Sequence, residues 1–379
     1  RVNELLAAIL PGNEFYAAKL GRGPLQLTSL EEFAKLPLTT KQELVESGAG
    51  EQSGNRTFPR DEYVRFHQTS GTSGRPLAVY DTADDWRWWI DCWQYVLDAG
   101  RITQDDRALL AFSFGPFVGF WSAFDALVAR ETLVIPSGGM SSLARLDLIE
   151  RTEATALFCT PSYALRLAEV AAENQIDLTR LAVRKIVVAG EPGGSLPAVR
   201  ERIEQTWQAR VTDHAGATEI GPWGYGNESG SGLHILETEF IAEFLEVHSN
   251  EPAKGEVAEL VLTSLGRMGS PVVRYRTGDL VQGIKSHEGS SQFVLLEGGI
   301  LGRVDEMMVI RGVNVFPLAV EQVLHGFPEV VEYRLTVRKR GAMDELVVEV
   351  EDQSQQPDRI AQELQLRLGL TIEVLAVPA

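Results

Sequence analysis

The feature that most constrains this fold is an alternation of short apolar runs and amphipathic stretches between residues 108 and 214. The apolar runs have the length of buried strands, and the stretches between them are long enough for helices. Repeated strand–helix alternation predicts a mainly parallel sheet with helices covering both faces. The predicted strands are Ala108–Phe114, Thr132–Ile135, Thr155–Cys159, Lys185–Ala189 and Arg210–Asp213.

The pattern changes after about residue 232, where helical stretches become rare and antiparallel strands are predicted. The last part of the chain has the order βαββαβ, a compact module with its own core. We therefore predict an α/β fold with two domains. The large N-terminal domain, residues 1–303, contains mainly parallel, helix-covered sheets plus a small β-barrel-like part. The small C-terminal domain, residues 304–379, is the βαββαβ module.

Composition excludes several classes of protein. The chain carries 35 Lys plus Arg against 53 Asp plus Glu, a net charge of −18, which argues against nucleic acid or an anionic membrane as partner. Two cysteines cannot form a disulfide scaffold. We find neither a long apolar run nor a leader sequence, so we expect no membrane span, no signal peptide and a cytoplasmic location.

The segment Thr69–Pro76 combines four hydroxyl side chains, two glycines and one arginine. Glycines allow backbone amides to turn toward an anion, while hydroxyls and the arginine add donors and charge. The spacing of the glycines is not that of a Walker loop. On composition alone the segment is either a phosphate-binding loop or a flexible turn between two strands.

Three further segments are ambiguous when taken singly. Val188–Gly194 follows a predicted strand and is either a ligand-binding edge or an ordinary turn into a helix. In Asp213–Glu219, the carboxylate of Glu219 either holds a divalent metal ion or caps a helix. In Tyr275–Leu280, Asp279 either binds the hydroxyls of a sugar or closes an Asx turn.

Together and in this order, these segments and two later ones, Gly302–Glu306 and Ile310–Pro317, resemble the acyl-adenylate-forming (AMP-binding) superfamily. The resemblance is strongest to its phenylacetate–coenzyme A ligase branch, to which Lys35–Lys41 is also similar. It implies ATP, Mg²⁺ and coenzyme A as cofactors and an aromatic carboxylic acid as substrate, and it is compatible with a homodimer. Such enzymes form an acyl-adenylate, after which the C-terminal domain rotates and the coenzyme A thiol displaces AMP.

The resemblance also implies a role for each matching residue. The catalytic residues would be Thr218 at the α-phosphate, Glu219 as ligand of Mg²⁺, and Arg303 beside the ribose. Asp279 would bind the ribose hydroxyls, and Asp305 would be the hinge of the small domain. The remaining contacts would be Thr69, Ser70, Gly71, Thr72, Ser73, Gly74 and Arg75 at the phosphates, Glu191, Pro192, His214, Ala215 and Gly216 at the adenine, Gly312 and Asn314 along the pantetheine, and Phe114, Phe117, Ala189 and Gly190 around the acid.

Two positions depart from the pattern of the branch. Ala215 stands where the branch often has a tyrosine that stacks on adenine, and the neighbouring His214 either compensates or is buried and hydrogen-bonded. The adenylation lysine of the family lies in a glycine-rich, basic tail after the last strand, and the sequence ends at Ala379 before such a tail. Either that tail lies beyond the printed sequence or adenylation is inefficient.

Three functions are therefore open at the level of sequence. The first is an ATP-dependent aryl- or arylacetate–coenzyme A ligase. The second is an adenylating enzyme that passes its acyl group to a carrier protein or an amine. The third is a nucleotide- or coenzyme A-binding protein with impaired catalysis.

Overall fold

The computed structural model describes residues 1–48, 54–69, 75–113, 115–247, 249–254, 257–284, 291–306, 308–310, 313–315, 317–327, 329–340, 343–368 and 370–377. The chain divides into two compact units, which are residues 1–277 with 282–299, and residues 278–281 with 300–379. No helix in the described part of the chain combines the length and apolar character needed to cross a membrane.

The larger unit has nine α-helices in the described residues and a central sheet. The helices are α1 (Val2–Ile9), α2 (Glu14–Leu20), α3 (Leu30–Phe33), α4 (Lys41–Ser47), α5 (Ala83–Ala99), α6 (Val118–Ala129), α7 (Ser142–Arg151), α8 (Pro161–Glu173) and α9 (Pro197–Trp207). The strands are β1 (Tyr63–Gln68), β2 (Ala78–Thr82), β3 (Arg107–Leu110), β4 (Leu133–Pro136), β5 (Ala156–Cys159), β6 (Lys185–Ala189), β7 (Arg210–Ala217), β8 (Gly221–Gly226), β9 (Gly232–Ile235), β10 (Phe240–Leu245), β11 (Ala258–Ser264), β12 (Tyr275–Ile284) and β13 (Leu295–Arg303). Helices α5, α6 and α9 contact strands of the central sheet. Residues 278–281 of β12 and 300–303 of β13 are counted with the smaller unit.

The parallel half of the central sheet confirms the prediction from strand–helix alternation. Strands β4, β3, β5, β6 and β7 lie side by side in that order and are parallel. Helix α8 begins as its sequence indicates, because the Thr160 hydroxyl accepts a hydrogen bond from the Tyr163 amide and Pro161 occupies the first turn. On α5, the spacing of Trp86, Trp89 and Trp93 predicts one buried helix face, and all three side chains are buried.

The antiparallel strands, which the sequence analysis expected to form a β-barrel-like part, instead continue the central sheet. The described strands give one order, β10-β11-β12-β13-β9-β8-β7-β6-β5-β3-β4. The reason lies in β7, which extends to Ala217 and turns through residues 218–220 into the antiparallel strand β8. This turn joins the parallel half of the central sheet to its antiparallel half. A β-carbon at Gly221, whose φ is +124°, would lie 2.7 Å from the Trp88 ring, so the turn requires glycine there.

The smaller unit has its own hydrophobic core, formed by residues such as Val320, Leu324, Val348, Ile360 and Leu364. Its elements follow the predicted order, except that the first strand is a short antiparallel hairpin. The three longer strands, Val330–Arg340, Met343–Asp352 and Glu373–Ala376, form a sheet in that order. The elements are β14 (Met308–Ile310), β15 (Val313–Val315), α10 (Pro317–His325), β16 (Val330–Arg340), β17 (Met343–Asp352), α11 (Pro357–Leu368) and β18 (Glu373–Ala376).

Candidate functional site

The candidate site of the larger unit lies at the carboxyl ends of the parallel strands, the edge where open α/β sheets bind ligands. Strand β6 ends there at Ala189, and Gly190, with a φ of +94°, turns the chain into an exposed loop. Ala189 is paired in register with His214 of β7. Two of the segments predicted to bind the substrates, the end of β6 and Asp213–Glu219, therefore lie side by side.

The predicted phosphate loop is closed at its base by Thr69. The Thr69 amide donates to the Leu77 carbonyl at 3.1 Å, and the Leu77 amide donates to the Thr69 hydroxyl oxygen at 3.0 Å. These bonds hold the ends of β1 and β2 together. Arg75 is exposed next to this base. Ser70, Gly71, Thr72, Ser73 and Gly74 lie outside the described residues.

Thr218 and Glu219 lie in the turn between β7 and β8 rather than at the start of a helix, so the helix-capping alternative for Glu219 is wrong. The Glu219 side chain is largely buried, with the residue 7% exposed. Its Oε1 accepts a hydrogen bond from the Tyr275 hydroxyl at 2.8 Å and lies 3.7 Å from the Lys41 ammonium nitrogen. This carboxylate is therefore held in one orientation at the ligand edge.

A single oriented carboxylate suits Mg²⁺, which proteins usually hold through one or two carboxylates and the phosphates of the substrate. Among the described residues, no three His, Cys, Asp or Glu side chains cluster as a metal site of their own. Glu219 is thus suited to hold Mg²⁺ together with a nucleotide.

Lys41 is a candidate site residue that sequence reasoning did not assign. The chain before it is attached to the strand that carries Tyr275, because the Thr39 amide donates to the Arg274 carbonyl and the Thr39 hydroxyl to the Val273 carbonyl, both at 2.8 Å. Helix α4 then begins at Lys41 with a capping box formed by Thr40 and Glu43. The available signal was the Lys35–Lys41 segment, which resembles the branch without an assigned function.

Arg267 is a second residue that sequence reasoning missed. Arg267 and Asp81 are both fully buried, and the Arg267 Nε donates to Asp81 Oδ1 at 2.7 Å. The same guanidinium donates through Nη1 to the Thr218 carbonyl at 2.8 Å and lies 5.3 Å from the centre of the Trp89 ring. Arg267 therefore connects β2, which continues from the phosphate loop, to the turn that carries Glu219.

The loop after β6 is ordered by two carboxylates. Glu191 accepts a hydrogen bond from the Ser162 amide at 2.6 Å, so its side chain caps the start of α8. Asp213 is half-buried and accepts hydrogen bonds from the Ser195 hydroxyl at 2.7 Å and from the His214 amide at 2.9 Å. Burial raises the pKa of Asp213 to about 6. A β-carbon at Gly194 would lie 2.5 Å from the Asp213 carboxyl, so only glycine allows this close approach.

His214, Ala215 and Gly216 belong to strand β7, so their side chains alternate between the two faces of the sheet. His214 is buried and its Nδ1 donates to the Gly224 carbonyl at 2.8 Å, which decides the open alternative in favour of a buried, hydrogen-bonded histidine. Burial lowers its pKa to about 4, so the ring is neutral at physiological pH. His214 points away from the face of Ala215 and cannot take the place of a ring there.

The remaining acid-pocket residues lie at the same edge or outside the described chain. Phe117 precedes the first residue of α6 and is 41% exposed, so its ring is not core. Gly190 is exposed at the end of β6. Phe114 lies outside the described residues.

In the smaller unit, Arg303 joins two of the predicted residues. Its Nη1 donates to Asp279 Oδ1 at 2.8 Å and its Nε donates to Asp305 Oδ1 at 3.0 Å. Partial burial lowers the pKa of Arg303, but the two carboxylates outweigh it and raise the pKa above its usual value. Asn314 is paired with Val309 in the β14–β15 hairpin, and Gly312 lies outside the described residues.

Comparison with known proteins gives this arrangement a family. The family model of the AMP-binding enzymes matches residues 24–241, and that of the AMP-binding enzyme C-terminal domain matches residues 312–379. The chain therefore belongs to the AMP-binding enzyme family, which confirms the resemblance deduced from the ordered segments.

Individual relatives show which members of this family the chain is similar to. It is 31% identical to phenylacetate-coenzyme A ligase of Thermus thermophilus, over 100% of the chain and 91% of that protein. It is 32% identical to phenylacetate-coenzyme A ligase of Pseudomonas putida, over 88% of the chain and 75% of that protein. A solved structure, 2-hydroxyisobutyryl-CoA ligase in the postadenylation state with 2-HIB-AMP, has a TM-score of 0.92 and 26% identity, and the match covers 100% of the chain and 84% of that structure.

Proposed function

We propose that this chain is an ATP-dependent ligase that joins a carboxylic acid to coenzyme A through an acyl-adenylate. The observation that carries the proposal is the Thr218–Glu219 turn, whose buried carboxylate is oriented by Tyr275 and Lys41 at the ligand edge of the sheet. The whole-chain similarity to phenylacetate-coenzyme A ligases supports the same reaction.

In the first half-reaction, a carboxylate oxygen of the acid attacks the α-phosphorus of ATP, and the bond from that phosphorus to the pyrophosphate oxygen breaks. Thr218 would bind the α-phosphate and Glu219 would hold Mg²⁺, which neutralises the charge that builds on the leaving pyrophosphate. Lys41 would add a cation beside the same phosphates, where a positive charge is favourable. The loop that begins at Thr69 and ends at Arg75 would bind the β- and γ-phosphates. Its base is closed by the hydrogen bond from the Leu77 amide to the Thr69 hydroxyl oxygen.

The other roles are proposed for each unit separately. In the larger unit, the backbone of Glu191 and Pro192 would line the adenine pocket, next to Ala215 on β7. In the smaller unit, Asp279 and Arg303 would bind the ribose, and Asn314 and Gly312 would line the pantetheine channel. Asp305 would be the hinge when the small domain moves between the two half-reactions. We also propose that residues 304–379 move as this domain.

The acid is proposed to be aromatic, because the phenylacetate-coenzyme A ligases named above are relatives across most of the chain. We also propose that the protein is cytoplasmic and forms a homodimer. We propose that it binds neither nucleic acid nor a membrane. Static light scattering of the purified protein measures the oligomeric state directly.

The test is pyrophosphate release by the purified full chain with ATP, Mg²⁺ and a panel of acids that includes phenylacetate and 2-hydroxyisobutyrate. Release should require both ATP and an acid, and adding coenzyme A should produce a thioester. Formation of an acyl-adenylate with no response to coenzyme A would indicate a different acceptor. Binding of ATP without release by any acid would contradict the proposal.

A further inference from the structure

His214 lies on the face of β7 that the predicted acid pocket uses. Its register partner on the neighbouring parallel strand is Ala189, a predicted pocket residue, and paired residues of parallel strands present their side chains on one face. The His214 ring is 4.3 Å from the Trp93 ring, and the Trp93 indole N–H donates to the Ser122 hydroxyl of α6 at 2.8 Å. Phe117 precedes that same helix.

The chemistry of the ring is determined by its surroundings. A carbonyl oxygen can only accept, so the 2.8 Å contact with Gly224 places the proton of His214 on Nδ1. The other nitrogen, Nε2, then carries a lone pair and is an acceptor. Burial keeps the ring neutral, and contact with Trp93 holds its plane.

The Nε2 acceptor has no hydrogen-bond partner among the residues that the structure describes. His214 as a whole is 8% exposed. Gly216, the next residue on this face, leaves the nitrogen uncovered, since a β-carbon there would lie only 3.3 Å from it. Nε2 is not among the buried polar atoms of the described residues that lack a partner, so water or a donor on a ligand can reach it and satisfy it.

We propose that His214 determines the specificity of the acid site, and that its Nε2 accepts a hydrogen bond from a hydroxyl or N–H group on the acyl part of the acid. This inference rests on the proposed ligase function and narrows its substrate class. Acids with such a donor are preferred over isosteres in which a methyl group replaces it, because the isostere leaves Nε2 without a partner.

The first test compares isosteric pairs of acids in the pyrophosphate-release assay. The pairs are mandelate with 2-phenylpropanoate, 4-hydroxyphenylacetate with 4-methylphenylacetate, and 2-hydroxyisobutyrate with pivalate, so neither the size of the acid nor the position of the donor is assumed. In at least one pair the hydroxylated acid should have a kcat/KM at least 10-fold higher. His214→Leu should bring that ratio close to one.

His234→Leu is the matched control, because His234 is also a buried histidine of this sheet whose Nδ1 contacts a carbonyl oxygen, that of Phe293 at 3.2 Å. It should leave the ratio within each pair unchanged. A ratio near one in every pair for the wild-type chain, or a preference that survives His214→Leu, would overturn the inference.

The second test does not depend on turnover. Histidine-selective ¹⁵N labelling of the full chain, with His214 assigned by its loss in His214→Gln, reports the tautomer and the hydrogen bonding of each ring nitrogen. At pH 7 we expect a neutral, Nδ1-protonated ring whose Nε2 resonance shifts with the hydroxylated member of a pair and not with its isostere. An Nε2-protonated ring, or equal responses to both acids, contradicts the role of His214. Absence of pyrophosphate release by every acid would instead contradict the ligase function.

Discussion

The two ends of the same parallel strands differ in how their charged groups are used. At the amino end of β6, Lys185 donates to Asp106 at 2.7 Å, and the other oxygen of Asp106 accepts from the Thr155 hydroxyl at 2.8 Å. At the carboxyl end, Glu219 faces Lys41 at 3.7 Å, beyond hydrogen-bond distance, and the Lys41 side chain is 42% exposed. Charges at the amino end are satisfied by one another, whereas those at the carboxyl end retain capacity for a ligand.

The largest difference is expected between Glu219→Gln and Asp106→Asn. Loss of the Glu219 carboxylate removes the proposed Mg²⁺ ligand, so pyrophosphate release should fall about 10²–10³-fold, the typical effect of deleting one transition-state contact. Asp106→Asn should retain activity and lose about 1–2 kcal/mol of unfolding free energy. Steady-state kinetics and urea unfolding of both variants measure this. Equal losses of activity would show that the two ends do not differ in function.

Arg267→Lys should have the next largest effect. Lysine keeps a positive charge beside Asp81 but cannot reproduce the fork that also reaches the Thr218 carbonyl. We expect kcat to fall about 10- to 100-fold through a small displacement of the turn, while the KM for the acid stays constant. The matched control is Arg276→Lys, which affects an ion pair with Glu259 on the antiparallel strands. Similar kinetics for the two variants would contradict the proposal that Arg267 positions the turn.

Lys41→Met tests whether the cation opposite Glu219 serves the nucleotide. Because the lysine is partly exposed, solvent screens its charge, and we expect the KM for ATP to rise roughly 5- to 10-fold, equivalent to about 1 kcal/mol. Lys35→Met, at an exposed lysine of the same segment, should leave the KM unchanged. The role proposed for Lys41 is refuted if both variants bind ATP as the wild type does.

Asp213→Asn should have the smallest effect on catalysis, and its effect should be visible in stability as a function of pH. The folded-state pKa of Asp213, about 6, lies above the ordinary value for aspartate, so the native state holds this proton where the unfolded chain has lost it. The contribution of Asp213 to stability is therefore greatest below the ordinary pKa and is lost as pH rises through 6.

The unfolding free energy of Asp213→Asn relative to the wild type should accordingly improve between pH 4.5 and pH 7, by at most roughly 3 kcal/mol. Denaturant titrations at the two pH values measure the change. Asp91→Asn, at an exposed aspartate of α5, is the control and should show no comparable trend. A difference between Asp213→Asn and wild type that does not vary with pH would contradict the ionisation assigned to Asp213.

Local sequence pattern predicted the parallel half of the sheet closely, because strands buried on both faces have continuous apolar runs. Strand β6 has the predicted bounds, Lys185–Ala189. Strand β7 was predicted to end at Asp213, because Ala215 and Gly216 have the composition of a loop. It continues to Ala217 instead, because these residues pair with β8. Small residues become strand residues here because a neighbouring strand supplies their hydrogen bonds.

The sequence by itself determined the family, the α/β class and the identity of Thr218, Glu219, Asp279 and Arg303 as candidates, because these signals lie within short, ordered segments. Only the tertiary structure decided what surrounds them. Tyr275 and Lys41 meet at Glu219 from distant parts of the chain, and Arg267 reaches Thr218 across 49 positions. Which face of β7 carries His214 followed only from the strand pairing. Local patterns encode conformation, whereas the orientation of a carboxylate or an imidazole depends on partners that folding brings together.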